Sequence, residues 1–266
     1  MDEGSVRGAH HVQSLERGLA VIKAFGAGTP ELTLSDVAKA TGLTRAAARR
    51  FLLTLADLGY VRTDGKHFSL TARVLELGYA FLSSLSLPEV AQPHLERLSA
   101  EVRESSSVSV LEGTDIVYVA RVAVSRIMAV SIDVGTRFPA YATSMGHVLL
   151  AGLDADALAG YVEQVRFNRF TSHTITSPAA LRSELVKVRE QGWALVDQEL
   201  EEGLRSVAAP IHDRHGAVVA AVNLSTHASR TTPDSVRAEL LPPLLAAARR
   251  IEADLAMTAP TRAEHR

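Results

Sequence analysis

The segment TGLTRAAARRFLLTLADLGYV, Thr41–Val61, constrains the fold more than any other part of the chain. Gly42 can close one helix, and Thr44 can cap the amides of the next. From Arg45 to Asp57 apolar residues recur at Ala48, Phe51, Leu52 and Leu55, the spacing of one buried helical face. Helix, glycine-bearing turn, helix is the order of a helix-turn-helix unit. Two short strands are expected next, Tyr60–Thr63 and Phe68–Leu70. Asp64–Gly65 between them is a strong hairpin signal, so the helix pair should carry a wing.

Upstream, Leu15, Leu19, Ile22 and Phe25 predict a first helix with that stripe inward, stopped by Gly26 and Gly28. A second helix is expected after Ser35 as N-cap, with Val37 and Ala38 inward.

The helix from Arg45 carries three arginines and no acid until Asp57. Small side chains at Ala46 and Ala47 would let its start approach a surface closely, with Arg45, Arg49 and Arg50 beside that end. Such an end suits the major groove of duplex DNA, where Arg reads guanine or clamps phosphate. A solvated basic face explains the helix alone equally well; the hairpin behind it favours the DNA reading. Arg62, Lys66 and His67 near the wing tip would meet the phosphate backbone. The candidate DNA contacts are therefore Thr44, Arg45, Ala46, Ala47, Arg49, Arg50, Arg62 and Lys66. Charge supports the division. His11 to Arg73 holds nine Lys/Arg against five Asp/Glu, a net +4, in a chain whose net charge is -2.

Thr71–Leu87 reads as a linker helix ended by Pro88. Val74, Leu77, Phe81 and Leu85 line one side and Leu75 and Leu82 another, which implies a second packing surface, most simply that of another subunit. Beyond it the pattern is mixed. Helices are expected over 91–103, 144–151, 155–165, 178–191 and 234–255. Strands are expected over 107–111, 116–122, 127–132, 193–197, 204–212 and 218–224. Short sequential strands with tight turns predict an antiparallel sheet with helices packed on it. The fold class is α+β. Three parts are expected: a winged helix-turn-helix domain at 11–71, a linker helix at 72–87, and an effector domain at 88–258. Residues 1–10 and 260–266 read as disordered tails.

The chain has no cysteine, consistent with a reducing cytoplasm, no apolar leader and no apolar run of membrane-spanning length. No phosphate-binding glycine loop or HExxH helix occurs, and no cofactor or metal is expected; His212 and His215 flank a turn and are poor metal candidates. Ala142–Gly146, ATSMG, is a near miss to the GxSxG nucleophile elbow, so an acyl hydrolase using Ser144 is one alternative. The same helix start, Ser144-Met145-Gly146, offers free amides and a positive dipole end to a carboxylate. Asn223 and Ser225 alternate on one strand and share a face, with Ser206 on the strand expected beside it. Such a polar group inside a sheet suits a small-molecule pocket.

Taken together, SLERGLAVIKAF, GLTRAAARRFLLTLADLGYV with its DGK wing, GTRFPAYATSMGHVLLA, GWALVDQELEEGLRSVAAPI and AAVNLS resemble the isocitrate-lyase-regulator (IclR) family of bacterial transcription factors, over about Ser14 to Leu255. The runs RVLELGYAFLSSLSLPEVAQP, YATSMG and LSTHASR look like its branch governing protocatechuate, 4-hydroxybenzoate and β-ketoadipate catabolism. The resemblance implies a GAF-like effector domain and assembly as homodimers, often paired into tetramers. It also implies a small carboxylate effector, resembling protocatechuate, 4-hydroxybenzoate or β-ketoadipate. Ligand-carboxylate amides would come from Ser144, Met145 and Gly146, and lining side chains from Ser206, Asn223 and Ser225, with Glu199 in the matching acidic loop. The expected function is ligand-responsive control of operator DNA, not enzymatic. A third reading is a constitutive DNA-binding protein whose back half only dimerises.

Overall fold

A computed structural model describes residues 11–26, 29–77, 87–124 and 132–258. The chain divides into two compact units, one on either side of residues 78–86.

The first unit contains helices α1 (Gln13–Lys23), α2 (Leu34–Thr41) and α3 (Arg45–Asp57), and strands β1 (Glu31–Thr33), β2 (Val61–Thr63) and β3 (His67–Leu70). The three strands form an antiparallel sheet in the order β1-β3-β2. α3 has the expected bounds, and its Thr44 cap forms: the Ala47 amide donates to Thr44 Oγ1 at 3.2 Å. The cap of α2 is Thr33, not Ser35. The Thr33 amide donates to Asp36 Oδ2 at 2.9 Å and the Asp36 amide to Thr33 Oγ1 at 3.3 Å. Thr33 wins because Asp36, three residues on, can return the bond, whereas Ser35 has Ala38 at that spacing. Strand β1 was not expected; its Leu32 pairs with Phe68 and both enter the core with Val21, Val37, Ala48, Leu52 and Val61. On α1 the inward face is set by Val21 and Phe25, so Leu15 and Leu19 are 63% and 46% exposed, contrary to expectation. Val12, Leu15 and Leu19 thus form an outward apolar stripe.

Ala72–Val74 is a single 3-10 turn, and Leu75 and Leu77 are exposed. Residues 75–77 are helical, as expected of the linker; its residues 78–86 lie outside the described residues, as do the two tails and nearly all of the strand expected over 127–132.

The second unit begins with α4 (Leu87–Val102), whose first turn contains Pro88, a position where a missing amide costs little. Its sheet has six strands: β4 (Ser105–Glu112), β5 (Asp115–Val122), β6 (Arg137–Pro139), β7 (Ala194–Asp197), β8 (Leu204–His212) and β9 (Val218–His227). They are antiparallel throughout, in the order β6-β5-β4-β9-β8-β7. Helices α5 (Ser144–Ala151), α6 (Ala155–Gln164), α7 (Pro178–Gln191) and α8 (Leu241–Thr258) complete it, α8 being entered through a π-helical turn at Val236–Leu240. α4 and α8 pack together and against the sheet, where Ser106 Oγ donates to the Leu95 carbonyl of α4 at 3.2 Å. The opposite face carries Ile116, Tyr118, Ala194, Ala208 and Ala221 in one core with α5. β4 contains the strand expected over 107–111 and starts two residues earlier, at Ser105; burial on both faces removes the alternation that would mark that start. Its serines at 105, 106, 107 and 109 are all buried, although polar.

Candidate functional sites

In the first unit Ala48, Leu52 and Leu55 anchor α3, and Arg45, Arg49 and Arg50 are exposed. Among the described residues none of these three guanidiniums forms an ion pair or hydrogen bond. Ala46 is exposed and Ala47 half-buried, so the helix start is low-profile as expected. On the wing, Arg62 Nε donates to Ser69 Oγ across the β2-β3 pair at 2.9 Å, which holds that cation against the hairpin. Asp64 is consumed by the turn: the His67 and Lys66 amides donate to its Oδ1 at 2.7 and 2.9 Å. Those two bonds and the His67 ring hold its carboxyl down at about 2. The Lys66 ammonium is left at the exposed tip.

The second unit brings four of its predicted residues into one chain of contacts. Thr143 caps α5, so Ser144 is its first residue. The Ser206 hydroxyl on β8 donates to Ser144 Oγ at 2.9 Å. Ser206 stands opposite Ser225 on β9, and Asn223 Nδ2 donates to Ser225 Oγ at 3.1 Å. Asn223 is 3% exposed, and its Oδ1 is buried without a partner. Met145 belongs to the same helix start, its sulfur accepting from Ser109 Oγ on β4 at 3.2 Å.

Gly146 does not offer what the sequence reading asked of it. Its amide already donates to Thr143 Oγ1 at 3.1 Å. Its missing side chain faces the Ala140 carbonyl, where a Cβ would lie 2.0 Å from the oxygen. The glycine is required by backbone packing. Ser144 and Met145 retain the uncapped amides of the first turn.

Glu199 makes its contacts with a different loop. The Ile175 amide donates to its carboxylate at 3.3 Å, and Thr174 Oγ1 donates to its carbonyl at 2.6 Å. Burial pushes its carboxyl up to about 7.

Sequence reading missed Arg121 and Ser107. Arg121 Nη1 on β5 donates to Ser107 Oγ on β4 at 3.0 Å, and its Nε is buried without a partner. A lone cation inside the apolar strand IVYVARV was the available signal.

The rival chemistry finds no support. Ser144 meets the Ser206 hydroxyl and not an imidazole; His147 Nε2 bonds the Tyr141 carbonyl at 2.7 Å. His212 is bound to Glu252 at 2.6 Å and His215 to Arg214, and no group of three metal-ligating side chains occurs among the described residues. A separate cleft of about 470 Å³, lined by Val148, Gly152, Arg189, His212 and Glu252 among others, holds none of the predicted effector residues. No helix among the described residues is long and apolar enough to cross a membrane.

Residues 14–65 match the IclR helix-turn-helix domain and residues 79–253 the bacterial transcriptional regulator IclR C-terminal domain. The Pca regulon regulatory protein of Pseudomonas putida is 48% identical over 237 residues, 89% of this chain and 81% of that one. The p-hydroxybenzoate hydroxylase transcriptional activator of Acinetobacter baylyi is 36% identical over 242 residues, 89% of each. A crystal structure of a transcriptional regulator from Rhodococcus sp. RHA1 shares 59% identity at a TM-score of 0.86, covering 94% of this chain and 100% of that one. An IclR homologue from Microbacterium hydrocarbonoxydans, crystallised with 4-hydroxybenzoate, shares 26% identity at a TM-score of 0.82, covering 92% and 100%. These relatives are regulators of transcription, and with both of its domains matched in order, the chain belongs to the IclR family of bacterial transcriptional regulators.

Proposed function

We propose that this regulator binds operator DNA through α3 and the β2-β3 wing and is tuned by a small carboxylate held in its second unit. Its targets are genes of aromatic-acid catabolism. The DNA contacts are Thr44, Arg45, Ala46, Ala47, Arg49 and Arg50 at the start of α3, with Arg62 and Lys66 on the wing. The effector contacts are Ser144, Met145, Ser206, Asn223 and Ser225. One observation carries the reading: the hydrogen-bonded pairs Ser144–Ser206 and Ser225–Asn223 meet inside an apolar layer, where Ser206 stands opposite Ser225, and Asn223 there keeps an unsatisfied amide oxygen. A buried acceptor without a partner costs roughly 1–3 kcal/mol, a cost that a bound ligand's donor would relieve. Relatives that are a Pca regulon regulatory protein and a p-hydroxybenzoate hydroxylase transcriptional activator, and a homologue crystallised with 4-hydroxybenzoate, support this reading.

Control follows by linkage. An effector that prefers one arrangement of the DNA-binding units changes operator affinity by its differential binding, typically about 1–3 kcal/mol. We also propose a homodimer that can pair into a tetramer. The outward stripe of Val12, Leu15 and Leu19 is apolar surface that a second copy would cover. A cytoplasmic location follows from this reading, since operator DNA is its partner.

The test is a thermal-shift and gel-shift pair with protocatechuate, 4-hydroxybenzoate and β-ketoadipate. Stabilisation by one of them, with a matching change in operator affinity and no product formed, supports the reading. No response to any of the three would overturn the aromatic-acid assignment. Light scattering gives the assembly state, and a monomer at micromolar concentration would remove the dimer.

A further inference from the structure

Arg121 is a cation of the second unit whose hydrogen-bonding capacity the described residues leave open. It lies on β5 opposite Ser107 of β4, and Ser107 lies opposite Asn223 of β9. Directly opposed residues on neighbouring strands share a face, so Arg121, Ser107 and Asn223 form one row across three strands. The same row continues into Ala208 of β8 and Ala194 of β7. Its far side is thus lined by methyl groups, beside the row that holds Ser206 and Ser225.

Two other arginines on the strands of this sheet, Arg205 and Arg137, are paired with carboxylates. Arg205 meets Asp197 at 2.9 Å, and Arg137 meets Glu112 at 2.8 Å and Asp115 at 3.3 Å. Arg121 is half-buried, makes no ion pair among the described residues, and spends one N–H on Ser107. Its Nε is buried without an acceptor among the described residues. Burial draws its proton affinity down, while Tyr118 and Asp133 oppose this from outside bonding range. A partly desolvated guanidinium with an orphan donor lacks an anion. Two strand spacings away, about 10 Å between backbones, Asn223 Oδ1 is an orphan acceptor and lacks a donor. Its own Nδ2 is already given to Ser225.

We infer that Arg121 binds the effector's carboxylate and that Asn223 accepts a hydrogen bond from a hydroxyl at the ligand's other end. The ligand is then a hydroxy-substituted aromatic acid. A dicarboxylate with no donor group leaves Asn223 Oδ1 unsatisfied and is disfavoured. This assignment rests on the effector reading above and sharpens it: the guanidinium takes the carboxylate, and the α5 start, with the Ser144–Ser206 pair, borders the ring.

Calorimetry on the intact protein tests this with ligands that differ by one group: 4-hydroxybenzoate, benzoate, 4-hydroxybenzamide and β-ketoadipate. Wild type should prefer 4-hydroxybenzoate over the uncharged amide, and over benzoate, by roughly 10- to 100-fold each. Arg121→Met should abolish the first preference and keep the second. Asn223→Leu should do the reverse, and Arg121→Lys should restore part of the first. Melting curves show whether each variant is folded, and the wild-type ligand ladder needs no variant at all. If wild type binds 4-hydroxybenzoate no better than benzoate, or if Arg121→Met keeps full preference for the carboxylate, the inference is overturned. Tight binding of β-ketoadipate with none of 4-hydroxybenzoate also overturns it, while leaving the effector reading intact. Binding of none of the four overturns both.

Discussion

The Ser206 hydroxyl donates to Ser144 Oγ at 2.9 Å, joining sheet strand β8 to the first turn of α5 inside a buried layer. Both side chains are nearly inaccessible, so neither can turn to bulk water when the other is removed. A double-mutant cycle of Ser144→Ala and Ser206→Ala in urea should give a coupling of about 0.5–1.5 kcal/mol. Strict additivity would mean that the pair contributes nothing to the fold.

Gly146 is the position least able to accept a side chain. A methyl group would meet the Ala140 backbone at 2.0–2.5 Å, and backbone cannot move aside as a flexible side chain can. Gly146→Ala should destabilise the second unit by about 3 kcal/mol, the upper end of ordinary overpacking. Denaturant unfolding checks it. A variant as stable as wild type would show that the α5–Ala140 contact is not tight in solution.

Burial holds the Glu199 carboxyl up to about 7, whereas the unfolded chain titrates near the ordinary 4.5. Between these values the native state keeps a proton that the unfolded state has lost. Stability therefore falls as pH rises from about 4.5 to about 7, and the penalty is complete above that. Below 4.5 both states are protonated and the term vanishes. Gln is a neutral isostere that still accepts from the Ile175 amide. Glu199→Gln should match wild type near pH 4.5 and exceed it by about 3 kcal/mol at pH 8. Parallel stability curves for the two proteins would show that Glu199 does not titrate in this range.

What the sequence disclosed and what it hid follow from the range of the interactions. The bounds of α3, the Thr44 cap and the Asp64–Gly65 turn are local, set by residues within four positions, and were readable. So was the shared face of Asn223 and Ser225, which period two dictates. Ser35 was mistaken for a cap because two hydroxyl residues lie in one turn, and only the returning Asp36 carboxylate separates them. Strand β1 is three residues long and exists because β3 pairs with it. Ser107 and Ser109 fall within the strand expected over 107–111, but Ser105 and Ser106 join it only because α4, β5 and β9 surround them. Arg121 was passed over for the same reason. Its meaning comes from Ser107 and Asn223, which are remote in the chain and adjacent only through sheet register.

The three α3 arginines separate DNA affinity from fold. Arg45, Arg49 and Arg50 are exposed and spend none of their guanidinium donors within the described chain, so replacing them removes no internal bond. Alanine is also the best helix former, and α3 should keep its structure. If the arginines clamp phosphate, the triple variant Arg45→Ala, Arg49→Ala, Arg50→Ala should flatten the salt dependence of operator binding. Each lost contact would lower the log–log slope by about 0.9. An arginine that reads a base should instead cost about 1–3 kcal/mol and relax specificity at one operator position. Arg62→Ala is the informative comparison. Its guanidinium is partly committed to Ser69, so it should lose less affinity than any α3 arginine while loosening the wing. Gel shifts over a salt series, with cognate and scrambled duplexes, separate these outcomes. A triple variant that binds the cognate operator as tightly as wild type at every salt concentration would remove α3 from the interface.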